Sequence, residues 1–336
     1  MIRSYLDKII AKEDLTLKES YEVMLNIMSG DVSSILLSSF LTALKSKKET
    51  ADEIAGFVTA MREKSVKIAV DDAIDVCGTG GDSSGTFNIS TAVSFVVAGA
   101  GIKVAKHGNR SVSSNSGSAD VLKELGVNIE MSPDLAQKAL DKLNITFLFA
   151  PLYHPAMKYA AETRKELAMR TVFNIIGPLT NPASVKRQLV GTFNNNTAKL
   201  LCDASKNLEY DKINIICNAN RYDEILLCNE TKVFEYQRSN GQTEYELTNF
   251  DFNYPVVDTN HLTSLNIKQS AKMILELFHN ISTNGTFHTV AANSAAALKC
   301  AGYSDSLEEC VSAAEESIRS GAALKKLNEL IEFSNK

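Results

Sequence analysis

From the first residue to about Lys67, apolar positions return every three or four residues, as in YEVMLNIMSG, SSILLSSFLTALKSK and ADEIAGFVTAMREKS. That spacing lays one apolar stripe along each of several helices and predicts no strand. Asp31 and Thr50 are expected N-caps, since their short oxygen side chains suit the first free amides of a following helix. At AIDVCG the period changes. STAVSFVVAGAG predicts a helix, IKVAKHG a strand and ADVLKELG a helix. SPDLAQKALDKLN predicts a helix capped by Ser132, with Pro133 in its first turn, ahead of a buried strand ITFLFA. The segment MRTVFNIIGPLTNP carries turn chemistry at Gly177, Pro178, Asn181 and Pro182, as expected where a chain crosses between lobes. Strand and helix alternation resumes through RQLVGTF, DKINIICN, EILLCN and TKVFEYQ, and the chain ends in helices. Such alternation implies an α/β fold with a mostly parallel central sheet and flanking helices. The expected architecture is a small all-helical N-terminal lobe over residues 1–69, with a crossing segment at about 168–182. A larger α/β lobe is expected over 70–167 and 183–336.

Length agrees with two lobes, because 336 residues are long for a single core. The net charge is -5 and the lysines and arginines are dispersed, so composition gives no basic footprint for nucleic acid. The six cysteines, Cys77, Cys202, Cys217, Cys228, Cys300 and Cys310, lack CxxC spacing and lie mostly in apolar runs. They are expected to be reduced core thiols of a cytoplasmic protein. The N-terminal MIRSYLDKIIAKEDLT is charged every few residues and predicts neither a secretory signal nor a membrane span.

The chemistry begins at DVCGTGGDSSGTFNIST, where a predicted strand runs into a predicted helix. Several nearby glycines sacrifice packing and backbone entropy, which makes sense where the main chain must approach a ligand closely. Ser90 and Thr91 stand at the helix start, whose free N–H groups and dipole favour an anion. The loop is neither a P-loop nor a GxGxxG dinucleotide turn. A tight turn with helix-capping hydroxyls is the plainer alternative. The second polar stretch, KHGNRSVSSNSGS, follows the next strand and so emerges on the same sheet edge, where open α/β sheets bind ligands. Its Lys106, His107 and Arg110 bring charge, and its serines and Asn109 bring hydrogen-bonding groups. Two anion-binding loops in one crevice suggest a diphosphate. His107 is a weak candidate for acid–base catalysis, ranking below a structural histidine. A diphosphate commonly travels with magnesium, which takes hard oxygen ligands, and Asp223-Glu224 in CNANRYDEILLCN is the best carboxylate pair for it.

Taken jointly, GTGGD with TFNIST, KHGNR with SSNSGSADVLKELG, HPAMK, RTVFNIIGPLTNP and AAALKCAGYSDSLEECVSAAEESIRSGAALKKL resemble the anthranilate phosphoribosyltransferases, over nearly the whole chain. The resemblance implies a nucleoside-phosphorylase-like homodimer, joined through its helical lobes, that transfers phosphoribose from phosphoribosyl pyrophosphate (PRPP) to the amino group of anthranilate. It implies PRPP contacts from Gly78, Gly81, Asp82, Thr86, Asn88, Ile89, Ser90 and Thr91. From the second loop it adds Lys106, His107, Gly108, Asn109, Arg110, Ser111, Val112, Ser113 and Ser114, with Ser118. Gly78, Asn109 and Arg164 would meet anthranilate. Two Mg2+ per subunit would be held by Ser90, Asp223 and Glu224, with Glu224 serving both.

CNANRYDE departs from the family pattern, which has a His-Gly start and a glycine near the acids where this chain has Cys217, Asn218 and Arg221. Arg164 lies in the charged stretch AAETRKEL, where the plainer reading is a solvated ion pair with Glu162 or Glu166. The alternatives to the implied reaction are a pyrimidine nucleoside phosphorylase, a transferase with another acceptor, and a nucleic-acid-binding relative of the same fold. The first needs no Asp-Glu metal pair. The last wants a basic groove that this acidic composition does not offer.

Overall fold

The computed structural model describes residues 2–80, 85–110 and 116–336. Four helices open the chain: α1 (Ile2–Ile10), α2 (Leu17–Ser29), α3 (Ser34–Lys47) and α4 (Ala51–Glu63). Thr50 caps α4 reciprocally. Its hydroxyl accepts from the Glu53 amide at 3.4 Å, and the Glu53 carboxylate accepts from the Thr50 amide at 2.8 Å. The expected cap at Asp31 is corrected to Ser33, whose hydroxyl accepts from the Leu36 amide. Asp31 instead belongs to the end of α2: Gly30 closes that helix with φ 81, and the Asp31 amide donates back to the Asn26 carbonyl.

The second layer set follows in alternation: β1 (Ile74–Gly78), α5 (Ile89–Gly99), β2 (Val104–Gly108), α6 (Ser118–Glu124), α7 (Pro133–Leu143) and β3 (Ile145–Phe149). Next come α8 (Ala150–Tyr153), α9 (Lys158–Leu167), α10 (Val172–Ile176), β4 (Arg187–Gly191), α11 (Asn195–Ser205), β5 (Lys212–Asn218), β6 (Thr231–Gln237) and β7 (Gly241–Leu247). Helices α12 (Ile267–Phe278), α13 (Asn284–Ala301), α14 (Leu307–Arg319) and α15 (Ala322–Ser334) complete the chain. The strand order is β3-β2-β1-β4-β5-β6-β7, parallel through β5 and antiparallel at β6 and β7.

Successive strand residues face opposite cores. Leu189, Ile216 and Val233 pack against α5 and the C-terminal helices. Val190, Ile215 and Phe234 share a core with Phe57 of α4, Ala160 of α9 and Phe173 of α10. The expected strand EILLCN does not form. Ile225 to Leu227 run as a buried loop whose main chain is satisfied by side chains. Asn293 accepts from the Ile225 amide at 2.9 Å and donates to its carbonyl at 2.8 Å, and Asn218 donates to the Leu226 carbonyl at 2.9 Å. With those partners in place, no neighbouring strand is needed. The glycine-proline crossing is itself partly helical, through α10 and a single 3-10 turn at Gly177–Thr180.

Candidate active site

The chain runs outward from β1 through β2 to β3, then returns to place β4 on the other side of β1. This reversal leaves a crevice beyond the carboxyl ends of β1 and β4. A cleft of about 350 Å³ lies there, walled by Gly78, Thr79 and Gly80 at the end of β1 and by Lys106 to Arg110 at the end of β2. Asp223 and Glu224 enter from the β5–β6 connection, while Arg164, Phe173 and Pro178 enter from the helical side. A larger depression of about 550 Å³ between Asn195, Lys232 and Phe250 includes neither glycine loop.

The residues implied by the sequence converge here. Gly78, Thr86, Asn88, Ser90, Lys106, His107, Gly108, Asn109, Arg110, Ser118, Arg164, Asp223 and Glu224 all line the one cleft. Ile89 and Thr91 have fully buried side chains, so any part they play runs through the main chain. Gly81, Asp82, Ser111, Val112, Ser113 and Ser114 lie outside the described residues. Thr79, Gly80, Ser116, Phe173, Asn174 and Pro178 also line the cleft. Thr79 and Gly80 belong to the GTGGD loop, whereas no local signal in the sequence sets the crossing segment opposite it.

Glycines make the close approach of the acids possible. A Cβ at Gly78 would lie 2.7 Å from the Asp223 carboxylate, and one at Gly191 would lie 1.7 Å from the Asp223 carbonyl oxygen. The Gly80 amide donates to Asp223 and the Ser90 amide to Glu224, each at 3.2 Å. The unusual CNANRYDE bend is held from within. Asn218, fully buried, donates to the carbonyls of Leu226 and Asn229 and to the Thr231 hydroxyl, while Ala219 and Asn220 turn the chain with φ of 49 and 53.

Lys106 is buried, and its ammonium donates to the Val76 carbonyl at 2.5 Å and to the Ser90 hydroxyl at 3.4 Å. Burial lowers its pKa, and the buried Asp75 carboxylate opposes that shift. Burial pushes Asp75 upward, with Lys106 pulling it back. Asp75 accepts from the His107 amide, Asn181 and Gln188, and Gln188 in turn accepts from Tyr210, which accepts from Arg62 of α4. A continuous buried polar chain thus runs from the helical layer to the cleft. Burial, reinforced by His154 at a ring separation of 5.2 Å, holds His107 far below the ordinary histidine pKa. It is neutral at pH 7, and its Nε2 has no protein partner among the described residues. Arg164 makes no ion pair with Glu162 or Glu166. Its guanidinium lies over the Phe173 ring at 5.2 Å, and burial lowers its pKa.

Residues 3–65 match the helical bundle domain of the glycosyl transferase family, and residues 70–324 match the a/b domain of that family. An anthranilate phosphoribosyltransferase of Acetivibrio thermocellus is 44% identical, covering 100% of this chain and 97% of the relative. The chain belongs to the anthranilate phosphoribosyltransferase family. The anthranilate phosphoribosyltransferase of Methanobrevibacter smithii is 42% identical, with both chains covered in full. The crystal structure of anthranilate phosphoribosyltransferase from Thermus thermophilus superposes with a TM-score of 0.92 at 35% identity, covering 98% of this chain and 99% of that one. The Saccharomyces cerevisiae enzyme, solved in complex with PRPP and Mg, superposes with a TM-score of 0.89 at 26% identity, covering 99% and 98%. Both lobes of the family fold are therefore present, helical bundle first.

Proposed function

We propose that the protein transfers the phosphoribosyl group of PRPP to the amino group of anthranilate, releasing pyrophosphate. The observation that carries this reading is the convergence, in one cleft, of two glycine-serine loops, a buried lysine, an adjacent pair of carboxylates and an arginine on an aromatic platform. The loop amides and Lys106 would hold the diphosphate, and Arg164 would grip the acceptor carboxylate through paired N–H groups. Asn109 and Gly78 lie between the two substrates in this arrangement.

Among the described residues no cluster of three or more His, Cys, Asp and Glu side chains forms a protein cage for a metal. Ser90, Asp223 and Glu224 offer only hard oxygens beside the diphosphate loops. That suits magnesium, which is usually held by one or two carboxylates together with substrate phosphates. Two Mg2+ would be held there by Ser90, Asp223 and Glu224, Glu224 serving both. Bound magnesium would neutralise charge growing on the departing diphosphate. The protein's own work is orientation: with the ribose fixed by the first loop and anthranilate fixed by Arg164, the neutral aromatic amine meets the anomeric carbon without a strong base. His107, which burial holds neutral and weakly basic, is assigned a structural place at the cleft wall in this reading, and no general base is named.

Homodimerisation through the helical layer and a cytoplasmic location complete the proposal. Exposed apolar Ile10 and Ile35 on the outer helices support the first, and six cysteines without disulfides support the second. No helix among the described residues is long and apolar enough to cross a membrane. The test is incubation with anthranilate, PRPP and magnesium while anthranilate fluorescence is followed. Loss of fluorescence that requires all three supports the reading. No loss, together with phosphate-dependent cleavage of a pyrimidine nucleoside, would replace it with a phosphorylase.

A further inference from the structure

We infer that Ser270, on α12 and outside the cleft, is a positioning residue that clasps the two phosphate-binding loops together through Asn88. The inference rests on the phosphoribosyl-transfer reading and names a part of that machinery which no loop motif contains. Ser270 is fully buried. Its hydroxyl accepts from the Asn88 amide at 2.9 Å and donates to the Asn88 side-chain oxygen at 2.9 Å. That same oxygen accepts from the Ser116 hydroxyl at 2.7 Å, and the Asn88 side-chain NH2 donates to the Ser116 carbonyl at 3.3 Å. Asn88 belongs to the first loop and Ser116 to the second, and both line the cleft, whereas Ser270 does not.

A helix-capping role does not explain Ser270. Asn266 already caps α12 by accepting from the Gln269 amide at 2.9 Å. The chain just before α12 backs the first loop as well: the Phe87 amide donates to the Leu262 carbonyl at 2.8 Å, and the Ser264 amide donates to the Gly85 carbonyl at 2.7 Å. Helix α12 is itself anchored in the core, where Phe278 packs edge-on against Phe95 of α5 at 6.1 Å. A rigid helix thus fixes the main chain and the side-chain amide of Asn88, and Asn88 holds the second loop at Ser116. The spacing between the loops matters most to a diphosphate gripped by both, and less to an acceptor whose carboxylate is held by Arg164 from the helical side.

Ser270→Ala removes both bonds without adding bulk. The PRPP Michaelis constant is expected to rise about tenfold, while kcat and the anthranilate Michaelis constant stay within about twofold. Ser116→Ala should also raise the PRPP Michaelis constant, and the double variant should lose less than the product of the single losses, because both act on one Asn88 oxygen. Should Ser270→Ala fail to fold, Ser270→Cys, of similar size but with a thiol that hydrogen-bonds only weakly, carries the same test. Equal rises in both Michaelis constants, unchanged PRPP kinetics, or multiplicative losses in the double variant would overturn the clasp. A wild-type protein that leaves anthranilate untouched would instead overturn the underlying reading.

Discussion

Replacing Gly191 by alanine tests whether the end of β4 sets the position of the acid pair. The new Cβ would stand 1.7 Å from the Asp223 carbonyl oxygen, 2.6 Å from its carbonyl carbon and 3.0 Å from its Cβ. Non-bonded heavy atoms sit about 3.5 Å apart, so the shortfall at the oxygen is about 1.8 Å. No rotamer relieves a clash with a backbone atom. The strand cannot yield, because Gly191 pairs with Gly78 on one side and with Ile216 on the other, and its carbonyl accepts from the Thr79 amide at 2.9 Å. The Asp223 peptide must therefore retreat, carrying Glu224 away from the Ser90 amide. Overpacking of this kind costs about 1–3 kcal/mol of stability, which a folded domain survives, while a misplacement of about 1 Å at reacting groups costs about a hundredfold in rate. The expected result is a folded protein with kcat down about a hundredfold and a raised magnesium requirement, measured by anthranilate fluorescence across a magnesium titration. Wild-type kcat in a folded Gly191→Ala variant would refute the argument.

Three further outcomes are expected. Glu224→Ala should cost more activity than Asp223→Ala, since Glu224 is assigned to both metals; magnesium titrations of the two variants decide this, and an unaltered magnesium dependence in both moves the metal elsewhere. Arg164→Ala should raise the anthranilate Michaelis constant about tenfold or more with PRPP kinetics nearly unchanged, and Arg164→Lys should recover only part; steady-state kinetics with each substrate varied would show it. Burial depresses the folded-state pKa of His107, and that of His154 to about 4, so both are neutral in the folded and unfolded states above about pH 6.5. Below that pH the unfolded chain takes up protons that the folded protein refuses, and stability falls as pH falls from 6.5 toward 4. The loss between pH 6.5 and 5 should be about 2–4 kcal/mol for the two histidines together. Urea denaturation at both pH values measures it, and a flat profile would show that neither histidine is buried neutral.

Local periodicity and turn chemistry were enough to reveal the helical start, the five parallel strands and the two loops, because those signals depend on near neighbours. Thr50 and Ser132 cap their helices as expected, since a cap is a contact three residues long. Where long-range partners decided, local pattern misled. EILLCN has the composition of a strand, yet Asn293, 68 residues further along the chain, and the nearby Asn218 occupy its polar groups. GQTEYEL has little apolar content and still forms β7, because an edge strand needs one partner and only one covered face.

Residue types along the chain establish the chemistry on offer: glycines for close approach, hydroxyls and amides for phosphate, paired carboxylates for a hard cation, and an arginine for a carboxylate. Each of these is a property of residue type and short spacing. Which of these groups meet is a matter of the folded chain. It brought Asp223 against Gly78 and Gly191, laid Arg164 over Phe173 rather than beside Glu162, and tied Asn88 to Ser270 across 182 residues of chain. Contacts of that range follow from strand order and helix packing, which the reversal of the chain at β1 sets and no local segment encodes.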